Sequence, residues 1–317
     1  MALGSSGDTI TTGATFIPEI WANDWIASYE SNLVLAKLVK RYNFVGKKGD
    51  TYHIPTMPRS AASAVSADTE LTPQAQTASS IDVLINKHYY RANKLDDMLA
   101  IQSLTSLRQS IMADHGYALA VQVDFDLHVL GTGFQGGTLD ATTGTPAAQT
   151  LAYDAAVIGG NGSTLWDATT DGNATAIADA GIRRMIQTLD DADVPADGRS
   201  MIIPPVSRNT ILGLSRFTEQ AFVGDGDAIK MGKIANLYGV NVYVSSRCPT
   251  ILDAGGTNSF RVGMMFHKDA MCLVEQLRPR VQSQYKLEFL GDLMVTDTIY
   301  GVKELRDTSG VAFVVPA

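Results

Sequence analysis

Two stretches of the chain alternate between apolar and polar residues, which is the period of a β-strand with one buried face; they are residues 48–57 and 81–93. The segment between them, 58–80, is made mostly of small and polar residues. This pattern predicts a long hairpin. The apolar face of its second arm carries Ile81, Val83 and Ile85. Because a two-stranded ribbon is marginally stable by itself, we expect another copy of the chain to cover that face.

An aromatic stripe precedes the hairpin. Trp21, Trp25 and Tyr29 are spaced four residues apart, so in a helix they share one face. Residues 1–12 are small and polar, and they lack the basic start and apolar run of a secretory signal. We expect the first 47 residues to form an extended arm that docks the aromatics on neighbouring material; the alternative is that the stripe belongs to the core of its own chain.

The strongest helical pattern covers residues 103–130. Ser103 is a suitable N-cap, and Gly131 ends the pattern. A helix of this length extends about 40 Å, which exceeds the diameter of a small domain. It is therefore expected to act as a spine, and His115, which falls on its apolar stripe, is interpreted as a hydrogen-bonded core residue.

The second half of the chain alternates between helical and strand patterns. A stretch rich in Gly, Thr and Ala, 131–172, marks a boundary before it. Helices are predicted near 175–190 and 206–214, and strands near 200–203, 240–245, 260–266, 271–276, 285–290, 293–300 and 311–315. This is the pattern of a mixed α/β domain. The late strands are expected to return beside the spine helix.

Composition excludes several classes of function. The chain has 317 residues, a formal charge of −8 and a pI near 5.1, which argues against gripping nucleic acid through a basic surface. Charged residues make up only 18%, which suits extensive self-association. No stretch is long and apolar enough to span a membrane. Cys248 and Cys272 lack the spacing of a redox or zinc motif, so we expect both to be reduced and buried.

Three segments resemble motifs of catalysis or of cofactor or metal binding, but each lacks residues or a spacing that its motif requires. The segment 226–233 imitates a phosphate-binding loop, but its glycine spacing is too long and Ile234 replaces the required Ser or Thr. Ser215 lies in an imitation of a nucleophile elbow in which Phe217 replaces a glycine. The acidic residues of 190–193 lack calcium-loop spacing and are interpreted as a helix end. No catalytic, cofactor-binding or metal-binding residue is predicted, and a soluble α/β hydrolase that uses Ser215 or the 190–193 cluster is the less favoured alternative.

Four segments together resemble the major capsid proteins of tailed double-stranded DNA bacteriophages, those of short-tailed phages in particular. The passage 194–204 resembles the family's helix-to-strand entry into its axial domain, and 232–245 resembles its Gly, Ile, Gly-Val, Val, Ser run. The segments 266–270 and 297–303 are similar to the family's closing strands. The similarity covers nearly the whole chain, and its order is more specific than any one segment.

The resemblance implies the Hong Kong 97 phage capsid fold, an α+β fold with five parts. In this chain the parts are expected to be an N-terminal arm (1–47), an extended E-loop hairpin (48–93), a peripheral P-domain with the spine helix (94–172), an axial α/β A-domain (173–278) and C-terminal strands that return to the P-domain (279–317). The loop 215–230 is the candidate for the axis of the capsomer.

The resemblance also implies the function and the partners. Copies of the chain are expected to form the hexamers and pentamers of an icosahedral shell that encloses DNA without sequence-specific contact. Assembly is expected in the bacterial host cytoplasm with a scaffolding protein and a portal protein, and the product is the virion. Because 58–80 contains no lysine, covalent crosslinking at the hairpin tip is not expected, and noncovalent contacts or a cement protein take its place. A bacterial encapsulin-type compartment is the nearest alternative. The expected intersubunit contact residues are Trp21, Trp25, Tyr29, Ile81, Val83, Ile85, Phe217 and Phe222.

Overall fold

The computed structural model describes most of the chain in two β-sheets, a separate ribbon and five helices. The described residues are 33–57, 59–60, 62–68, 70, 73, 75–102, 107–134, 158–162, 174–214, 236–252 and 259–317. The predictions made for Trp21, Trp25, Tyr29, Ser215, Phe217 and Phe222, and for the 226–233 segment, lie outside these residues.

A four-stranded sheet has the spatial order β1-β11-β12-β4. Its strands are β1 (Lys40–Asn43), β4 (Lys87–Asp96), β11 (Met271–Lys286) and β12 (Gly291–Glu304). β1 runs parallel to β11, and the other neighbours are antiparallel. The sheet thus joins segments from the beginning and the end of the chain, with the late strand β12 at its centre.

The long helix α3 (Leu107–Gly131) lies across this sheet. It agrees with the predicted spine within the described residues, and it is preceded by the short helix α2 (Asp97–Gln102). A third helix, α1 (Leu35–Leu38), packs on α3. At the end of α3 a β-carbon on Gly131 would lie 2.5 Å from the sulfur of Met264, so only glycine fits there without a shift of that side chain.

A second sheet contains seven strands, in the order β5-β13-β10-β6-β8-β7 with β9 added beside β10. The strands are β5 (Ile158–Gly159), β6 (Arg199–Ile203), β7 (Asn236–Leu237), β8 (Val240–Val244), β9 (Thr250–Leu252), β10 (Ser259–His267) and β13 (Gly310–Pro316). Helices α4 (Asp179–Asp191) and α5 (Pro205–Leu212) belong to the same half of the molecule. The predicted alternation of helices and strands in this region is confirmed.

The seven-stranded sheet is buried on both faces. On one face Ile182, Met185 and Leu189 of α4, spaced three and four residues apart, pack on the strands. On the other face Ile202 of β6 and Phe266 of β10 share a core with residues of α3 and α1. Every residue of β6 is buried, as expected for a strand covered from both sides.

One strand prediction is too short and another is wrong. The predicted strand 271–276 extends through Lys286, and 285–290 is the end of β11 followed by a 3₁₀ turn, Leu287–Phe289, with Leu290 at φ +43°. The register of β11 shifts twice between Glu275 and Arg280, around Pro279, which has no N–H to donate to the ladder. Such irregularity hides a strand from a period-two pattern.

The last strand also differs from expectation. β12 returns beside α3 as predicted, but β13 pairs with β10 and lies in the seven-stranded sheet. All of β13 from Gly310 to Val315 is buried, because this apolar run sits between two strands and under cores on both faces. The five-part division of the chain otherwise stays a prediction.

Candidate assembly surfaces

The predicted hairpin is present as a two-stranded ribbon, which we define as β2 (Thr51–Thr56) and β3 (Ser79–Leu84). The predicted second arm, 81–93, is not one strand: it divides after Leu84, and its later part is β4 in the four-stranded sheet. The alternation of apolar and polar residues continues past Leu84 because β3 and β4 each have one covered face. The ribbon therefore grows directly out of the sheet.

Three contacts fix the base of the ribbon. The Ile85 N–H donates to the Asp50 carbonyl oxygen at 2.8 Å, and the Gln276 side-chain amide donates to the carbonyl oxygens of Lys47 (3.1 Å) and Gly49 (2.8 Å). A β-carbon on Gly301 of β12 would lie 2.4 Å from the Leu84 carbonyl oxygen. The strand end therefore passes directly over the backbone of β12.

Apolar packing at the base corrects part of the interface prediction. Val83 is fully buried and Ile85 nearly so, in a cluster with Phe44, Cys272 and Val274 of the same chain. They were expected to contact a neighbour, but the four-stranded sheet extends beneath the ribbon base and covers them. Ile81, one step further out and opposite Ile54, is only partly buried. The prediction of a contact with a neighbouring subunit is retained for Ile81 alone.

The outer part of the ribbon is uncovered. Each described residue of 59–80 is exposed, including Val65, and Met57 at the end of the first arm is 76% exposed. His53 and Asp82 face each other across the strands, with Nδ1 and Oδ1 2.5 Å apart, and this hydrogen bond lowers the pKa of Asp82. The ribbon thus holds its strand pairing with polar contacts where no core supports it.

A second exposed surface lies where β11 turns into β12. We call it the apolar tip and define it by Leu287, Phe289 and Leu290 of the turn together with Met98, Leu99 and Ile101 of α2. Leu287 is 80% exposed and Ile101 84%. The Asp97 N–H donates to the Leu290 carbonyl oxygen, and the Tyr285 hydroxyl donates to the Asp97 carboxylate, which holds α2 against the turn.

Sequence reasoning missed the apolar tip. The sequence pattern predicts a strand for Leu287, Phe289 and Leu290, where such residues point into a core, and it predicts no separate element for the α2 residues. The signal that could have found it is the pair Gly291-Asp292 directly after the apolar run, since Gly and Asp favour turns. Contiguous exposed apolar side chains of this kind mark interaction sites.

Between α3 and the four-stranded sheet lies a polar layer that serves packing. The two ring nitrogens of His115 lie 3.2 Å from Thr296 Oγ1 and 3.2 Å from Asn93 Oδ1, and burial lowers the pKa of this histidine. The Tyr300 hydroxyl donates to Asp126 at 2.6 Å, and burial followed by this bond raises the pKa of the phenol. The interpretation of His115 as a hydrogen-bonded core residue is confirmed.

The remaining candidates for chemistry have structural roles in the described part of the chain. Cys248 and Cys272 are buried and unpaired, as predicted, and burial raises their thiol pKa values to about 12 and about 11. Asp190 at the end of α4 accepts a hydrogen bond from Arg199 at 2.7 Å, which agrees with the helix-end interpretation. Among the described residues no group of three or more His, Cys, Asp or Glu side chains could hold a metal ion. No described helix has the length and apolar character needed to cross a membrane.

An N-terminal chain packed on a spine helix, a protruding ribbon, a sheet beside the spine and a separate α/β sheet together define the Hong Kong 97-like capsid fold, and the fold prediction is confirmed. The chain is similar to a solved structure of Mycobacterium phage Che8, with 23% identity, a TM-score of 0.70 and coverage of 94% of this chain and 97% of that one. It is also similar to the capsid structure of Cyanophage P-SCSP1u (18% identity, TM-score 0.73, coverage 99% and 96%) and to the capsid of Cyanophage Pam1 (14%, 0.70, 100% and 99%). No protein-family model and no curated protein matches the chain.

Proposed function

We propose that this chain is a major capsid protein whose copies form the hexamers and pentamers of an icosahedral shell around double-stranded DNA. The observation that carries the proposal is the agreement in fold with phage capsid subunits over nearly the full length of both chains. The uncovered outer ribbon supports it further, since an exposed two-stranded ribbon needs a partner surface. The role is structural, with no catalytic step.

The proposed contacts between subunits are spread over several surfaces. The outer ribbon, with Ile81 and Met57, lies over an adjacent subunit, and Trp21 and Trp25 of the arm reach a further neighbour. Phe217 and Phe222 lie near the capsomer axis. To these predicted contacts we add the apolar tip, whose exposed side chains are available for a neighbouring capsomer. Closed symmetry repeats every contact, so individually weak surfaces act together.

The partners follow from the same proposal. The acidic chain lines a container from which DNA must be released, so contact with the genome is nonspecific. A scaffolding protein and a portal protein act during assembly in the host cytoplasm, and the finished subunit resides in the virion. Shell contacts are noncovalent, or reinforced by a cement protein, because the 58–80 segment lacks lysine.

Deletion of residues 62–76 tests the role of the ribbon. We expect the variant to fold, because every described residue in that segment is exposed, but to elute as a small species instead of a particle of megadalton mass. Replacement of the same residues by a Gly/Ser stretch of equal length is the matched control for reach. Circular dichroism verifies folding, and electron microscopy detects shells.

Closed shells formed by the deletion variant would overturn the ribbon's role. For the unaltered protein, nuclease-protected DNA inside particles made in a packaging host supports the capsid assignment. Particles that hold protein cargo and no DNA indicate an encapsulin-type compartment, and a small soluble oligomer contradicts a shell altogether.

A further inference from the structure

A groove opens between α3 and the four-stranded sheet near the point where the described chain begins. Its helix side includes Gly116, Ala120 and Val123, which fall on one face of α3, and its sheet side includes Glu275 and Thr298. The lining is mostly apolar, and the cavity volume is about 90 Å³. A dry cavity that holds benzene measures about 150 Å³, so this smaller groove encloses only part of an aromatic ring and leaves the rest at its open side.

The start of the described chain is fastened beside this groove. The Leu35 N–H donates to Oδ1 of the buried Asp124 at 3.0 Å, and Leu35 itself is fully buried. Asp124 follows Ala120 by one helical turn on the same face of α3. The chain that precedes Leu33 is therefore tethered close to Val123, at one end of the groove.

The length of the preceding chain matches the groove. From Val123 to Gly116 the groove follows about 10 Å of helix. The four residues from Tyr29 to Leu33 span about 13 Å when extended. A segment of that length allows Tyr29 to reach the groove of its own subunit.

Glu275 supplies a polar partner for a tyrosine at this place. Its carboxylate lies 3.9 Å from the guanidinium groups of both Arg41 and Arg278, distances that exceed hydrogen-bond length. It can therefore accept a hydrogen bond from a phenol that enters the groove. The neighbouring Tyr300–Asp126 pair, at 2.6 Å, shows the same chemistry on the same face of the sheet.

We propose that Tyr29 inserts its ring into this groove of its own subunit and donates its hydroxyl to Glu275, so that residues 26–32 are anchored before assembly. The inference goes beyond the proposed shell, since it concerns an isolated subunit. It assigns Tyr29 to its own chain and leaves Trp21 and Trp25 for a neighbour. Tethering favours the same-chain occupant because it raises the effective concentration of the ring at the groove.

A disulfide crosslink tests the placement. The variant Tyr29→Cys/Ala120→Cys, oxidised as a dilute unassembled full-length subunit, is expected to form an intramolecular bridge that shifts its mobility on a non-reducing gel. The control, Tyr29→Cys/Ala118→Cys, places the second thiol on the opposite side of α3, two residues earlier. The native thiols are buried and do not compete.

Absence of the bridge from both variants overturns the proposal, and a bridge found only between chains overturns it in favour of a neighbour's arm.

Protease sensitivity gives a second measurement that needs no cysteine. The exposed substitution Ala120→Leu narrows the groove and should speed chymotryptic cleavage after Tyr29 about tenfold, and an unchanged rate contradicts the proposal. Neither result depends on whether shells form, so failure here leaves the capsid assignment open to its own test.

Discussion

Glu304, at the end of β12, is a residue whose ionisation affects the stability of the subunit. Burial, and then the hydrogen bond with Asp307, raises its pKa from 4.5 to about 8. Its Oε1 is buried without a hydrogen-bond partner. The folded state therefore holds a proton at neutral pH that the unfolded chain has already lost.

This residue predicts a pH-dependent stability. Between about pH 4.5 and pH 8 the folded state binds more protons than the unfolded state, so the free energy of unfolding falls as the pH rises through that window. Glu304→Gln removes the charge and should raise stability at pH 9 by about 2 kcal/mol, a figure reduced for partial solvent screening. The gain should vanish near pH 5. Thermal unfolding of the unassembled subunit at both pH values measures it, and Asp307→Asn should give a smaller change of the same sign. Equal melting temperatures of the unaltered protein and Glu304→Gln at pH 9 would contradict the raised pKa of Glu304.

At the scale of elements, the sequence predicted helices whose two sides differ in polarity and strands that are apolar runs between turns. α4 shows a clear three-and-four spacing of apolar residues, and β10 and β13 are apolar runs bounded by turns, so all three were found. The ribbon was found from alternation, but its division after Leu84 was not, because changing from one pairing partner to another leaves the alternation intact. The extension of β11 beyond Gln276 was missed since most of its residues are exposed and show no regular alternation, and the ladder with β12 holds them extended.

The candidate surfaces differ in how far the sequence predicts them. Exposure of the outer ribbon followed from its composition, whereas burial of Val83 and Ile85 depends on Cys272 and Val274, nearly two hundred residues later in the chain. The apolar tip needs two distant segments, α2 and the β11–β12 turn, to meet. A one-dimensional pattern cannot show which apolar residues remain uncovered when such segments come together.

The junction between ribbon and sheet gives a prediction for one element. In Gly301→Ala the new methyl group would meet the Leu84 carbonyl oxygen at 2.4 Å and the Ile85 α-carbon at 3.2 Å, and backbone atoms cannot move aside cheaply. We expect a loss of stability of about 2 kcal/mol. Hydrogen exchange should also speed up at the Ile85 amide. Unchanged exchange at Ile85 would show that the ribbon base is not held by this close approach.

At the scale of the whole molecule, one continuous body carries two uncovered features. The cores of the two sheets meet where residues of α1 and α3 pack with Ile202 and Phe266, which ties the body together. The outer ribbon and the apolar tip lie at opposite ends of the β4–β12 pair in the four-stranded sheet. The ribbon lies at the end near Gly301, and the tip lies at the end near Gly291. Contacts that the two features make with neighbouring subunits would therefore both be transmitted to the four-stranded sheet.

The apolar tip provides the prediction at this scale. Leu287→Ser/Phe289→Ser removes two large exposed apolar groups without opening the core, so the subunit should fold with an unchanged melting temperature. If the tip joins neighbouring subunits, the variant should need at least about tenfold more protein to form particles, because each apolar side chain of this size loses about 1.5–3 kcal/mol of burial at every contact. Val206→Ser, which replaces an exposed apolar residue of α5 away from the tip and the ribbon, is the matched control and should assemble normally. Light scattering across a concentration series separates the outcomes: assembly of the double variant at the unaltered concentration would mean that the tip faces solvent or another protein in the finished particle.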